Sequence, residues 1–182
     1  MDLLTGVLVV LGIGFLAANL KLAYDYVRYL RRRRSALLTW RARKPPHYAF
    51  ALGLGVALGL LVIAKLVVLR RQAFGESMMF LYYAYFFPMS LTIGRGFYED
   101  GIWAETAFIP YNEVSGISWR EGEHEVTLIV ISRLRNLARR LIVPGENYAA
   151  ARRLLRDKIA AHAIHFSGTG LDLGGHDERD EV

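Results

Sequence analysis

The sequence predicts an α+β membrane protein in which three transmembrane helices precede a small antiparallel β-sheet capped by a C-terminal helix. Three observations predict it. Apolar residues concentrate in residues 3–20, 48–69 and 78–93, each close to the roughly 20 residues that carry a helix across about 30 Å of hydrocarbon. Charge is split: up to Arg95 the chain holds 13 Lys and Arg against 3 Asp and Glu, and beyond it 10 against 14. After Gly94-Arg95-Gly96 the apolar period changes from helical to alternating, which signals strands. The expected parts are a membrane region over 1–95 with spans at about 3–22, 47–69 and 77–94, a cytoplasmic module over 96–165, and an acidic, disordered tail over 166–182.

The first helix starts at Met1-Asp2 without positive charge, and its basic residues follow the apolar run. That order predicts a retained helix with its N-terminus outside, not a cleaved signal peptide. Gly6, Gly12, Gly14, Ala17 and Ala18 leave room for a close neighbour. Asn19 and Lys21 are read as snorkelling to the interface. Residues 24–44 then mix tyrosines, Leu37, Leu38 and Trp40 with arginines, which predicts a headgroup-level segment. Arg31, Arg32, Arg33, Arg34, Trp40, Arg41, Arg43 and Lys44 are its candidate lipid contacts. Two compatible readings stay open for them, a topology signal and recognition of anionic lipid.

Pro45-Pro46 ends any helix before the second span. Ala51, Gly55 and Gly59 recur every fourth position and predict a smooth groove. The third span offers Tyr82, Tyr83, Tyr85, Phe86 and Phe87 as the ridges to fill it, across a tight turn at residues 70–77. Pro88 is expected to bend that helix, and Lys65 to snorkel. Residues 21–44 hold nine cations against Asp25 alone, so the positive-inside rule places this loop in the cytoplasm and, with three spans, the C-terminal module too. The expected location is the bacterial inner (cytoplasmic) membrane.

In the C-terminal part, Asp100-Gly101 suits a type I′ turn between strands at residues 97–99 and 102–106. A second pair is expected at 114–120 and 125–133, a further strand at 139–143 and a helix at 147–163, with Tyr148, Ala151, Leu155 and Ile159 forming its apolar stripe. A set of strands closed by one amphipathic helix, with GFYEDGIW, FIPYNEVSGISW and LIVPGENYAAARRLL, resembles the bacterial pleckstrin-homology-like (PH-like) domains. More closely it resembles a bacterial family in which such a domain follows membrane helices. The resemblance implies a fold and no activity. A complete barrel of that kind has seven strands, and about five are legible here. The first hairpin carries Glu99 and Asp100 where a phosphoinositide site would need cations, so that site is not implied.

Candidate chemistry is sparse. Glu121, Glu123, His124 and Glu125 read as a solvated turn, and His162 and His165, with His176 farther on, as too few ligands for a metal. No cysteine is present, so thiolate sites are excluded. A haem would want a histidine within a span, and the nearest is His47 at the edge. The aromatic face of the third helix offers a peripheral quinone or pigment contact beside its packing role. Arg133, Arg135, Arg139 and Arg140 are candidate headgroup contacts near an anionic surface, and no stacking motif accompanies them for nucleic acid. The expectation is a non-enzymatic membrane protein without cofactors. Its partners are other integral membrane proteins, with anionic lipid or a soluble partner bound by the module as the alternative.

Overall fold

The computed structural model describes residues 3–122, 125–134, 137–164 and 176–177. The chain separates into two compact units. One is Met1–Arg31 with Arg41–Ile93, and the other is Arg32–Trp40 with Gly94–Val182.

The first unit is helical. Helix α1 runs Leu3–Arg32, so the basic run that follows the apolar stretch continues the same helix. Helix α2 (Tyr48–Ile63) starts after the proline pair and passes into a π-helical turn at Ala64–Val68. Two helices, Thr5–Ser35 and Tyr48–Val68, are long and apolar enough to cross a membrane. Most of their large apolar side chains point outward: Val10 is 69% exposed and Phe50 73%. A core helix of a water-soluble fold would bury them.

The expectation of three such helices needs correction. The third apolar stretch folds as α3 (Phe74–Leu81), a π-helical turn (Tyr82–Phe86) and α4 (Phe87–Ser90), a shorter run than the roughly 20 residues a span needs. Pro88 sits in the first turn of α4, where its missing N–H costs nothing. The hydroxyls of Ser90 and Thr92 donate to the carbonyls of Phe87 and Met89, each at 2.7 Å. Helices α2 and α3 pack antiparallel. Gly55 lies against the backbone of Tyr83 and Ala84, Gly59 against the Phe80 ring, and Tyr48 beside Phe87 with centroids 6.1 Å apart.

The second unit is two antiparallel sheets and a helix. Its first strand was not foreseen: β1 is Ala36–Arg41, inside the stretch expected at headgroup level. It lies beside β2 (Gly94–Tyr98), followed by β3 (Gly101–Ala104) and β4 (Ala107–Pro110), in the order β1-β2-β3-β4. Gly96 has a φ of +131°, and a Cβ there would collide with the Leu38 carbonyl of β1, so the close approach of the two strands needs glycine. The expected turn also shifts. Phe97 pairs with Ile102 and Gly96 with Trp103, which makes Glu99-Asp100 the connection and puts Gly101 in β3. Gly101 is used there because a side chain would strike the Ile109 carbonyl and the Phe108 ring.

The other sheet holds β5 (Val114–Glu121), β6 (Val126–Ser132) and β7 (Leu137–Val143), with the two-residue β8 (His176–Asp177) on the far side of β5. Val130 pairs with Ile117 and with Arg139. Helix α5 (Gly145–Ala160) buries Ala151 and Leu155 on the core, with Tyr148 and Ile159 half-buried beside them. Tyr148 meets Trp119 edge to face at 5.2 Å. Phe97, Ile102, Leu128, Val130, Leu141 and Val143 form the centre of this core. Apart from β8, the acidic tail lies outside the described residues.

Candidate membrane-surface site

A cluster of exposed cations stands at each end of β1. At its entry, Arg31 ends the helical unit and Arg33 and Arg34 lie exposed in a 3₁₀ turn, Arg33–Ser35. The Ser35 hydroxyl donates to the Arg32 carbonyl at 2.9 Å, and Ala36 then takes extended geometry. At its exit, Arg41, Arg43 and Lys44 are exposed, with the Lys44 ammonium 5.2 Å from the centre of the Tyr48 ring. Guanidinium groups present several donors in a plane and bind phosphate oxygens in pairs. This arrangement can therefore grip phosphate-bearing headgroups.

Two residues of the expected set have other roles. The Arg32 guanidinium donates to Asp100 through Nε and Nη2, both at 3.0 Å, and lies 4.2 Å from the centre of the Phe108 ring. Trp40 does not sit at headgroup level. Its indole N–H donates to the Ile142 carbonyl at 2.9 Å and its ring neighbours Phe97 at 6.4 Å. Leu38 packs on the same core. Alternation along a strand explains this: Leu38 and Trp40 share the inward face, whereas Leu37, Thr39 and Arg41 share the outward one.

The second group of arginines lies elsewhere in the module, at the β6–β7 turn and along β7. Arg133 is exposed, and its backbone N–H donates to the Glu113 carbonyl at 2.7 Å. Arg139 is half-buried, 3.8 Å from the Glu105 carboxylate, while Arg140 on the opposite face of β7 is exposed. Arg135 lies outside the described residues. Burial pushes the Arg95 guanidinium below its ordinary value, opposed by the nearby Glu105 carboxylate. Glu123, His124 and His165 also lie outside the described residues. Among the described residues, no group of three or more His, Asp or Glu could hold a metal ion.

The helix-packing residues divide likewise. Ala51 is buried, and Gly55 and Gly59 receive Ala84 and Phe80. Tyr82 turns instead to α1, edge to face with Phe15 at 5.2 Å. Tyr85 is 60% exposed, and Phe86 is half-buried. Sequence reasoning missed the polar fasteners of this unit. Asn19, read as snorkelling, is buried and donates to the Met78 carbonyl at 3.0 Å. Lys65 donates to the buried carboxylate of Glu76. A signal for the latter exists, because Lys65 and Glu76 are equally far from the Arg70-Arg71 turn and opposite charges there face each other across a helical hairpin.

No family model, curated protein or solved structure matches this chain.

Proposed function

We propose that this chain is a non-catalytic integral membrane protein that docks on a larger membrane protein complex as a structural or accessory subunit. The observation that carries this reading is the outward apolar surface of α1 and α2. There Val10, Leu20, Phe50, Val56 and Leu60 are exposed, and Gly6, Gly14 and Gly53 leave open notches between such side chains. Small residues beside bulky ones suit close helix–helix contact in lipid. Extraction in mild detergent with cross-linking tests it. Recovery with integral membrane proteins is expected, and a lone monomer under every mild condition would overturn it.

The location that suits this reading is the bacterial inner membrane. Strand β1, between the two long helices, and β2, after the helical hairpin, belong to one sheet, so both segments occupy one side. The positive-inside rule makes that side the cytoplasm and puts the N-terminus outside. Helix α2 carries the chain away from that side, and the antiparallel run from α3 to α4 carries it back. The PH-like reading of the module draws support from β1–β7 followed by α5, the strand number that the resemblance implies and that the C-terminal part alone lacks.

A second reading, a membrane-surface adaptor, is favoured by the exposed Arg31, Arg33, Arg34, Arg41 and Arg43 flanking β1. Each exposed cation near an anionic surface contributes on the order of 1 kcal/mol. The full chain purified from mixed-lipid membranes would retain anionic lipid above its bulk share and lose that enrichment when these five arginines become serine. Equal lipid composition in both preparations would rule the reading out.

A further inference from the structure

The two sheet-forming segments are separated in sequence by the whole helical hairpin. Strand β1 ends at Arg41 and β2 begins at Gly94, and the two are neighbours in the sheet. Their alignment is fixed by the Glu99 N–H donating to the Ser35 carbonyl at 2.9 Å and by Gly96 facing Leu38 and Thr39. Arg41 and Gly94 therefore fall at the end of the pair where an ordinary β-hairpin would place a short turn. Residues 42–93 occupy that position.

The links from sheet to helices are stiff. After α4, the N–H groups of Leu91, Thr92 and Ile93 donate to Pro88, Met89 and Ser90 at 3.2, 3.0 and 3.4 Å, so bonded turns continue to the residue before β2. Before α2, Pro45 and Pro46 have fixed φ, and the Tyr48 N–H closes a turn onto the Pro45 carbonyl at 3.0 Å. Tyr48 and Phe87 meet at the end of the helical hairpin from which both links leave.

From this connectivity we infer that the α2–α3 hairpin is a conformational clamp on the sheet module: β1 stays seated on β2 only while the two helices stay packed. Any event that splays them, such as a partner helix entering the groove, pulls β1 away. That withdraws Leu38 and Trp40 from the core and leaves the outer edge of β2 unpaired. The inference uses the connectivity and packing alone and stands whether or not the accessory-subunit reading holds.

The absence of native cysteine makes the test direct. In the full chain reconstituted in phosphatidylethanolamine–phosphatidylglycerol vesicles, the pair Ser35→Cys and Glu99→Cys should oxidise rapidly, because those residues are hydrogen-bonded neighbours. Adding Gly55→Leu, whose side chain would strike the Tyr83–Ala84 backbone, should slow oxidation about tenfold or more. Gly53→Leu, with open space around it, should leave it unchanged. A flexible Gly-Ser spacer between Arg43 and Lys44 should restore fast oxidation in the Gly55→Leu chain, because it frees β1 from the helices. Equal rates with and without Gly55→Leu would overturn the inference. So would failure of the spacer to restore the rate, which would mean that the substitution unfolds the chain rather than opening a clamp.

Discussion

Arg32 is held by Asp100 and the face of Phe108, whereas Arg33 and Arg34 beside it stand exposed. Its partners are themselves partly open to water, which limits what the pair and the ring contact add. Arg32→Ala is expected to lower the stability of the sheet module by about 1 kcal/mol, and Arg33→Ala to change it by less than about 0.5 kcal/mol. Thermal unfolding of the detergent-solubilised chain compares them. Tyr111 is a second informative residue. Its hydroxyl donates to the Tyr98 carbonyl at 2.9 Å, and burial, with Asp100 adding to it, pushes its pKa far above the ordinary 10.0. A proton held more tightly in the folded state stabilises fully below pH 10.0, and that contribution is lost as pH rises beyond it. Tyr111→Phe should cost about 1 to 2 kcal/mol at neutral pH. It should also flatten the fall in stability on the alkaline side, read from unfolding midpoints above pH 10.0. An unchanged alkaline slope would show that the phenol does not carry it.

At the scale of elements, the informative ones are β1 and the α2–α3 pair. Strand β1 contributes Leu38 and Trp40 to the module core, so its loss removes both apolar contacts and an indole hydrogen bond. Trp40→Ala should destabilise the module by about 2 to 3 kcal/mol, below the cost for a fully buried tryptophan because the ring is only half-buried. Hydrogen exchange at β2 amides measures it, and exchange as slow as in the parent would refute the assignment. In the helical pair, Gly55 faces backbone whereas Gly59 faces the Phe80 ring, which can swing aside. Gly55→Ala should therefore weaken α2–α3 packing more than Gly59→Ala, a ranking that cross-linking between cysteines placed on the two helices would reveal. The Lys65 to Glu76 contact closes the other end of the pair. Glu76→Gln should loosen that end, because it leaves a cation with a neutral partner in a poorly hydrated place.

At the scale of the whole molecule, discontinuity is the organising fact. A fragment starting at Gly94 lacks β1 and should expose Phe97 to water. A chain in which residues 32–41 are joined to residue 94 through an Asn-Gly turn should hold a complete sheet. Proteolysis followed by mass spectrometry is expected to show the first fragment digested and the second resistant. Equal resistance would mean that β1 is dispensable. The same arrangement sets topology, because a sheet built from segments on both sides of the helical hairpin requires those segments to share a compartment. Single cysteines placed at Ser35 and Ser118 should react alike with a membrane-impermeant reagent, and unlike reactivity would break the shared-sheet assignment.

Much of this was legible in the residues. The apolar runs of α1 and α2, the alternation in β5 and β6, and the Tyr148, Ala151, Leu155 and Ile159 stripe of α5 are local patterns, set by how each residue meets lipid, water or the neighbouring turn. The groove of Ala51, Gly55 and Gly59 was legible as a surface, though not that Ala84 and Phe80 would fill it. Strand β1 was hidden because arginines on both sides of ALLTWR outweighed its alternation, and because its partner lies more than fifty residues away in sequence. The third helix was overestimated because hydropathy counts residues and cannot see where a helix starts. Sequence alone thus determined which segments are apolar and which are amphipathic. Only the tertiary structure decided that Leu38 and Trp40 join the core of a distant sheet, since pairing between strands depends on what faces each edge in space and not on composition.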